Sequence, residues 1–164
     1  MHLLSACAQT EHFLLYWRNN LDSRGLVVST LEEAEFYAKH GFDDILYGYP
    51  LLEHHMERNY SLTESLHSYH VMINNFDSVC LLTKYEPPCG KKWSVYLSIN
   101  AGDPREGVPS ENSEQILQIG KFLLENNQKI EFQGTINFTC FLDISPFVTY
   151  ENSVQILQIV KFSL

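Results

Sequence analysis

From about Leu26 onward, apolar positions alternate between short continuous runs and helical spacing. Leu26-Val27-Val28 is a β-branched run that predicts a strand. Ser29 and Thr30 stand three residues before Glu32 and Glu33, the pattern of a capping box. Leu31, Ala34, Phe36 and Ala38 carry that helix through His40, and Gly41 supplies a left-handed stop. Ile45 to Tyr49 is a second strand halted by Pro50, and a polar, helix-compatible stretch leads to a third at Tyr69 to Ile73. Asn75 caps a helix bearing Val79, Leu81 and Leu82, which ends near Tyr85 before Pro87-Pro88. Trp93 to Ile99 is the clearest strand. After the turn Gly102 to Gly107, a helix from about Glu111 to Asn126 places Ile116, Ile119 and Leu123 on one face. Ile130-Glu131-Phe132 opens a fifth strand.

Five strand–helix alternations predict an α/β fold of parallel βα units with right-handed crossovers. Two architectures satisfy that pattern: an open five-stranded sheet, or part of a (β/α)₈ barrel. The 164 residues make about one domain, well short of the ~250 of a closed barrel of this type. Glu111 to Leu124 recurs forty residues later as Glu151 to Leu164, identical at eleven of fourteen positions. Nothing upstream shares that motif, so a local duplication or irregular transcript explains it better than a solenoid.

Charge narrows the function classes. Eleven Lys and Arg against twenty Asp and Glu give −9, which repels phosphate backbones and anionic lipid and argues against nucleic-acid or membrane-surface binding. No run of apolar residues is long enough to cross a bilayer. The start of the chain lacks the basic flank and long apolar run of a secretory leader, so the sequons at Asn59 and Asn137 read as chance matches. Cys7, Cys80, Cys89 and Cys140 have no paired spacing, which favours a reducing, cytoplasmic setting.

Candidate chemistry is sparse by spacing alone. His54-His55 with His67 and His70 offer imidazoles, but no carboxylate or thiol completes a metal site, and they read as surface histidines. Asp43-Asp44 lies between a helix stop and a strand start and reads as a solvated turn rather than an acid–base pair. The sequence shows no recognisable Ser-His-Asp ordering, glycine-rich phosphate loop or basic stripe. In Gly102-Asp103-Pro104-Arg105-Glu106-Gly107, Pro104 removes a donor that a phosphate cradle needs. Cys140 reads as a small buried hydrophobe.

Arg24 to Tyr37, continuing through Gly41-Phe42-Asp43-Asp44-Ile45-Leu46-Tyr47-Gly48-Tyr49-Pro50, resembles the eukaryotic D-serine dehydratase and D-threonine aldolase family. Trp93 to Val108 extends the likeness, which runs from about Arg24 to Gly134. The resemblance implies an alanine-racemase-type N-terminal barrel that binds pyridoxal phosphate and acts on D-amino acids, with a divalent metal near the family's C-terminal end. It implies residues 24–140 as a partial barrel of about five of eight βα units. Residues 1–23 are then a divergent N-terminal segment, and residues 141–164 a divergent segment repeating 111–124.

Set against the family, several parts differ. The family's Schiff-base lysine precedes the Arg24-Gly25-Leu26-Val27-Val28 strand, and residues 1–23 contain no lysine. Lys91 and Lys92 precede their strand, whereas barrel chemistry occurs at strand C-terminal ends. Lys39, Lys84, Lys121, Lys129 and Lys161 fall on helices or at strand starts. Phe138 stands for the family histidine and Asn100 for its aspartate, while the family's metal-binding His and Cys have no counterpart in this chain. Arg105 matches the arginine that reaches the cofactor's phenolic side and is the best single cofactor-binding candidate. The alternative for Arg105 is a turn arginine facing solvent beside Asp103 and Glu106. Tyr150 is a weaker match to a family tyrosine.

The expectation is a D-serine ammonia-lyase or D-threonine aldolase-like chain that does not hold pyridoxal phosphate covalently and is inactive by itself. The alternative is a non-catalytic interaction or regulatory protein that joins a full-length homologue through open strand edges. Such edges predict homo- or hetero-oligomers.

Overall fold

The computed structural model describes residues 4–5, 25–100 and 106–136. Its strands are β1 (Leu4–Ser5), β2 (Gly25–Val28), β3 (Asp44–Pro50), β4 (Ser68–Ile73), β5 (Trp93–Asn100), β6 (Val108–Pro109) and β7 (Ile130–Ile136). Between them run α1 (Leu31–Lys39), α2 (Met56–Ser65, entered through a 3₁₀ turn at Glu53–His55), α3 (Phe76–Lys84) and α4 (Ser113–Glu125). The four helices and five main strands fall where the hydrophobic pattern puts them. Two details differ: Leu4–Ser5 adds a strand and Val108–Pro109 adds another, while β3 stops at Pro50 as expected.

Local chemistry explains the helix boundaries. Thr30 accepts a hydrogen bond from Glu33 N while the Glu33 carboxylate accepts from the backbone N–H of Ser29 and Thr30, a reciprocal capping box. Gly41 follows α1 with φ +84°, a conformation that costs glycine little. Asn75 and Asn112 cap α3 and α4 by accepting from Ser78 N and Gln115 N.

Sheet order decides between the two architectures. Every pairing is parallel, and β1, β2, β3, β4, β5 and β7 lie side by side in chain order, with β6 extending the far end of β5. A doubly wound open sheet reverses direction at a switch point and carries helices on both faces. Here one parity of strand residues (Leu26, Ile45, Val71, Val95, Ile130) packs in a single core with Ala34, Met56, Leu82 and Ile119 from the four helices. The opposite parity forms a smaller cluster of Leu46, Met72, Tyr96 and Ile136 with Val27 against it. Helices outside and a separate inner cluster describe a wall of a (β/α) barrel.

Candidate functional site

Register sets the inner face. Val27, Leu46, His70, Ser94 and Glu131 are successive in-register partners across β2, β3, β4, β5 and β7. Asp44 lies two residues before Leu46 on β3, so it faces the same way and is diagonal to His70. His70 Nδ1 is 2.6 Å from Ser94 Oγ, and His70 Nε2 is 3.3 Å from Asp44 Oδ1. The Tyr96 ring meets the imidazole edge to face at 5.4 Å. His70 and Ser94 border a cleft of about 370 Å³ that Lys92, His67 and Glu131 also line. The cleft lies at the N-terminal ends of β4 and β5.

This arrangement corrects three sequence expectations. His70 is a buried interior residue with 8 % exposure rather than a surface histidine. Asp44 is half-buried, with Oδ1 enclosed beside the imidazole, so it is not a solvated turn residue like its exposed neighbour Asp43. Asp44, His70 and Ser94 also make a carboxylate–imidazole–hydroxyl series in space, although no motif announces one. Parallel register joins three residues that are 26 and 24 positions apart, and short-range spacing carries no signal of it.

The opposite ends of the strands, where barrels carry their chemistry, present another set. Asn74 follows β4 and donates to the Glu106 carboxylate at 2.6 Å, while its own carbonyl accepts from Ser78 Oγ at 3.0 Å. Ser98 Oγ donates to Glu106 O at 3.3 Å, and Asn100 O accepts from Ser110 N at 2.9 Å. Gly107 packs against this strand end with φ +143°, where an added Cβ would sit 2.9 Å from Asn100 N. Arg105 itself lies outside the described residues, as do Lys161, Phe138, Cys140, Tyr150 and the second copy of the repeat.

The described lysines do not suit a Schiff base at that end. Lys91 Nζ donates to the carbonyls of Thr63, Glu64 and Leu66 and so closes the C-terminus of α2. Lys92 Nζ donates to Asn127 O, and Lys129 pairs with Glu86. Lys39, Lys84 and Lys121 are exposed on helices. Covalent attachment of pyridoxal phosphate needs an amine at the strand C-terminal ends. The described residues there supply asparagine, serine and glutamate, so they do not fit a tethered cofactor.

Electrostatics elsewhere serve packing. Arg58 on α2 reaches Glu32 and Glu35 on α1, each at 2.7 Å, which raises the guanidinium's proton affinity and holds the Glu32 carboxyl below its usual range. Burial raises the phenols of Tyr47 and Tyr69, and Tyr69 donates to Asn59 Oδ1 at 2.7 Å. Burial, then the nearby His54 and Arg58 charges, hold the His55 imidazole low. His54 is exposed, His55 touches the Tyr47 hydroxyl at 3.4 Å, and no cluster of three metal-ligating side chains occurs among the described residues. No helix among them is long and apolar enough to cross a membrane.

Comparison with known proteins agrees with the barrel wall. The family model of the alanine racemase N-terminal domain matches residues 14–163. The chain belongs to that family. A D-serine dehydratase from Dictyostelium discoideum is 32% identical over 123 residues, covering 71% of this chain and 31% of that protein. An alanine racemase-like structure from Idiomarina loihiensis has a TM-score of 0.63 at 30% identity, covering 76% of this chain and 32% of its own. The D-threo-3-hydroxyaspartate dehydratase structure from Delftia sp. HT23 shares the fold with a TM-score of 0.72 at 20% identity, over 84% of this chain and 36% of that one. This alanine racemase N-terminal domain chain thus spans about a third of the length of the relatives it matches.

Proposed function

We propose that this chain is a wall of a D-amino acid lyase barrel, of the D-serine dehydratase kind, that by itself neither tethers pyridoxal phosphate nor turns over a D-amino acid. The supporting observation is the pairing of a family match across residues 14–163 with lysines that, among the described residues, are spent on helix termini, salt-bridged or on exposed helix surfaces. An alkene-forming elimination of water from D-serine needs the α-proton removed and the resulting carbanion stabilised, which is the work of an imine-linked cofactor. The described residues supply the scaffold for that chemistry without the amine.

The test mixes purified chain with pyridoxal phosphate, dialyses it and records the imine absorption band, then adds D-serine and follows pyruvate. The expected result is no retained band and no pyruvate. A band that survives dialysis, with borohydride fixing it on one lysine, overturns the reading.

A second reading is favoured by the sheet itself. Among the described residues, β1 and β7 each have a strand partner on one side only. Unsatisfied strand edges recruit strands, so association with a longer homologue through β7 is the alternative. Co-elution with such a homologue, without added turnover, would favour it.

A further inference from the structure

The series Asp44–His70–Ser94 has the connectivity of an activated nucleophile and lies away from the strand ends where the family chemistry belongs. Asp44 Oδ1 is buried and has no hydrogen bond within the fold, and an ionised carboxylate only accepts. The group facing it is His70 Nε2 at 3.3 Å. The charge of that carboxylate favours the ring proton on the facing Nε2, at ion-pair range without an aligned hydrogen bond, and Nδ1 then carries the lone pair. Ser94 Oγ–H, 2.6 Å away, donates into that lone pair. The Tyr96 ring braces the imidazole. A hydroxyl next to a base that is oriented by a carboxylate is the arrangement that generates an alkoxide nucleophile on unrelated folds.

We propose that the cleft at the N-terminal ends of β4 and β5 is a second site, hydrolytic towards small acyl esters, with Ser94 as nucleophile. Ser94 Oγ attacks the ester carbonyl carbon while its proton passes to His70 Nδ1. The bond to the leaving alkoxide breaks, and the alkoxide takes that proton as alcohol. Water then attacks the acyl-Ser94 carbon, gives its proton to His70, and the acid leaves as Ser94 recovers its proton. No electrons change hands. Lys92 lines the same cleft, and its ammonium, held on Asn127 O, contributes positive charge there towards the developing oxyanion. A volume of about 370 Å³ admits a small ester.

The test treats the folded chain with a fluorophosphonate and locates the adduct by peptide mass spectrometry, alongside release of p-nitrophenol from p-nitrophenyl acetate. The expected adduct is on Ser94 and is lost in Ser94→Ala. His70→Gln and Asp44→Asn should each slow labelling at least tenfold, and Lys92→Met should slow it while leaving its position unchanged. Circular dichroism confirms that each variant folds, and Asp44→Asn decides if His70→Gln does not. A folded wild-type chain with unmodified Ser94, or labelling as fast in folded Asp44→Asn as in wild type, overturns the proposal. Neither outcome depends on pyridoxal phosphate, so this test stands apart from the cofactor reading.

Discussion

His70 Nδ1 and Ser94 Oγ are 2.6 Å apart on adjacent strands, partners in parallel register across the barrel's inner face. Removing one side of so close a pair strands the other in a partly buried setting, whereas removing both leaves nothing unpaired. A double-mutant cycle of His70→Leu and Ser94→Ala, read by urea unfolding, should give a coupling of about 0.5–3 kcal/mol. Additive single effects would show that the contact contributes nothing.

Gly107 holds the segment after β5 against that strand. Its φ of +143° and the 2.9 Å approach of a built Cβ to Asn100 N leave no room for a side chain. Gly107→Ala should cost on the order of 1–3 kcal/mol through backbone strain. It should also loosen the Asn74–Glu106 contact, visible as faster amide exchange at Glu106. A variant with wild-type stability and exchange would refute the packing account.

Lys91 serves α2. Its ammonium meets three carbonyl oxygens at 2.7, 3.0 and 2.6 Å, neutralising the negative end of the helix. Lys91→Met keeps the aliphatic stem and should lower stability by about 1–2 kcal/mol, a difference that chemical denaturation resolves. An unchanged midpoint would mean that water replaces the amine without loss.

His55 should titrate below its ordinary value of 6.5, chiefly from burial and then from His54 and Arg58. The folded chain then binds that proton less readily than the unfolded chain, so this contribution to stability is intact above 6.5 and declines as the pH falls below it. Imidazole resonances followed by NMR should place the His55 midpoint under 6.5, and a midpoint above it contradicts the assigned environment.

Thr30→Ala removes the hydroxyl half of the α1 capping box and should cost about 1 kcal/mol of stability. Retained stability would show that Glu33 alone suffices. This motif was legible in the sequence because its partners are three residues apart, within reach of a single helical turn. The alternation of apolar runs with helical spacing was legible for the same local reason, and so were the caps at Asn75 and the stop at Gly41.

The interior polar site was not legible. Asp44 reads as a solvated residue because it adjoins the exposed Asp43, and His70 reads as surface because an imidazole in a strand gives no sign of which face it occupies. Leu4–Ser5 carries no sequence signal because two residues cannot form a periodic pattern, although they pair with Leu26 and Val27.

By itself, the order of residues determined the helices, the strands and the family, since each is written in short-range spacing or in identity. Only the tertiary structure decided that the strands run in sequential order with the helices outside, and that Asp44, His70 and Ser94 share an inner face. Strand register is a long-range choice, made by burying one parity of side chains against the helices. The opposite parity, and its chemistry, is placed as a consequence.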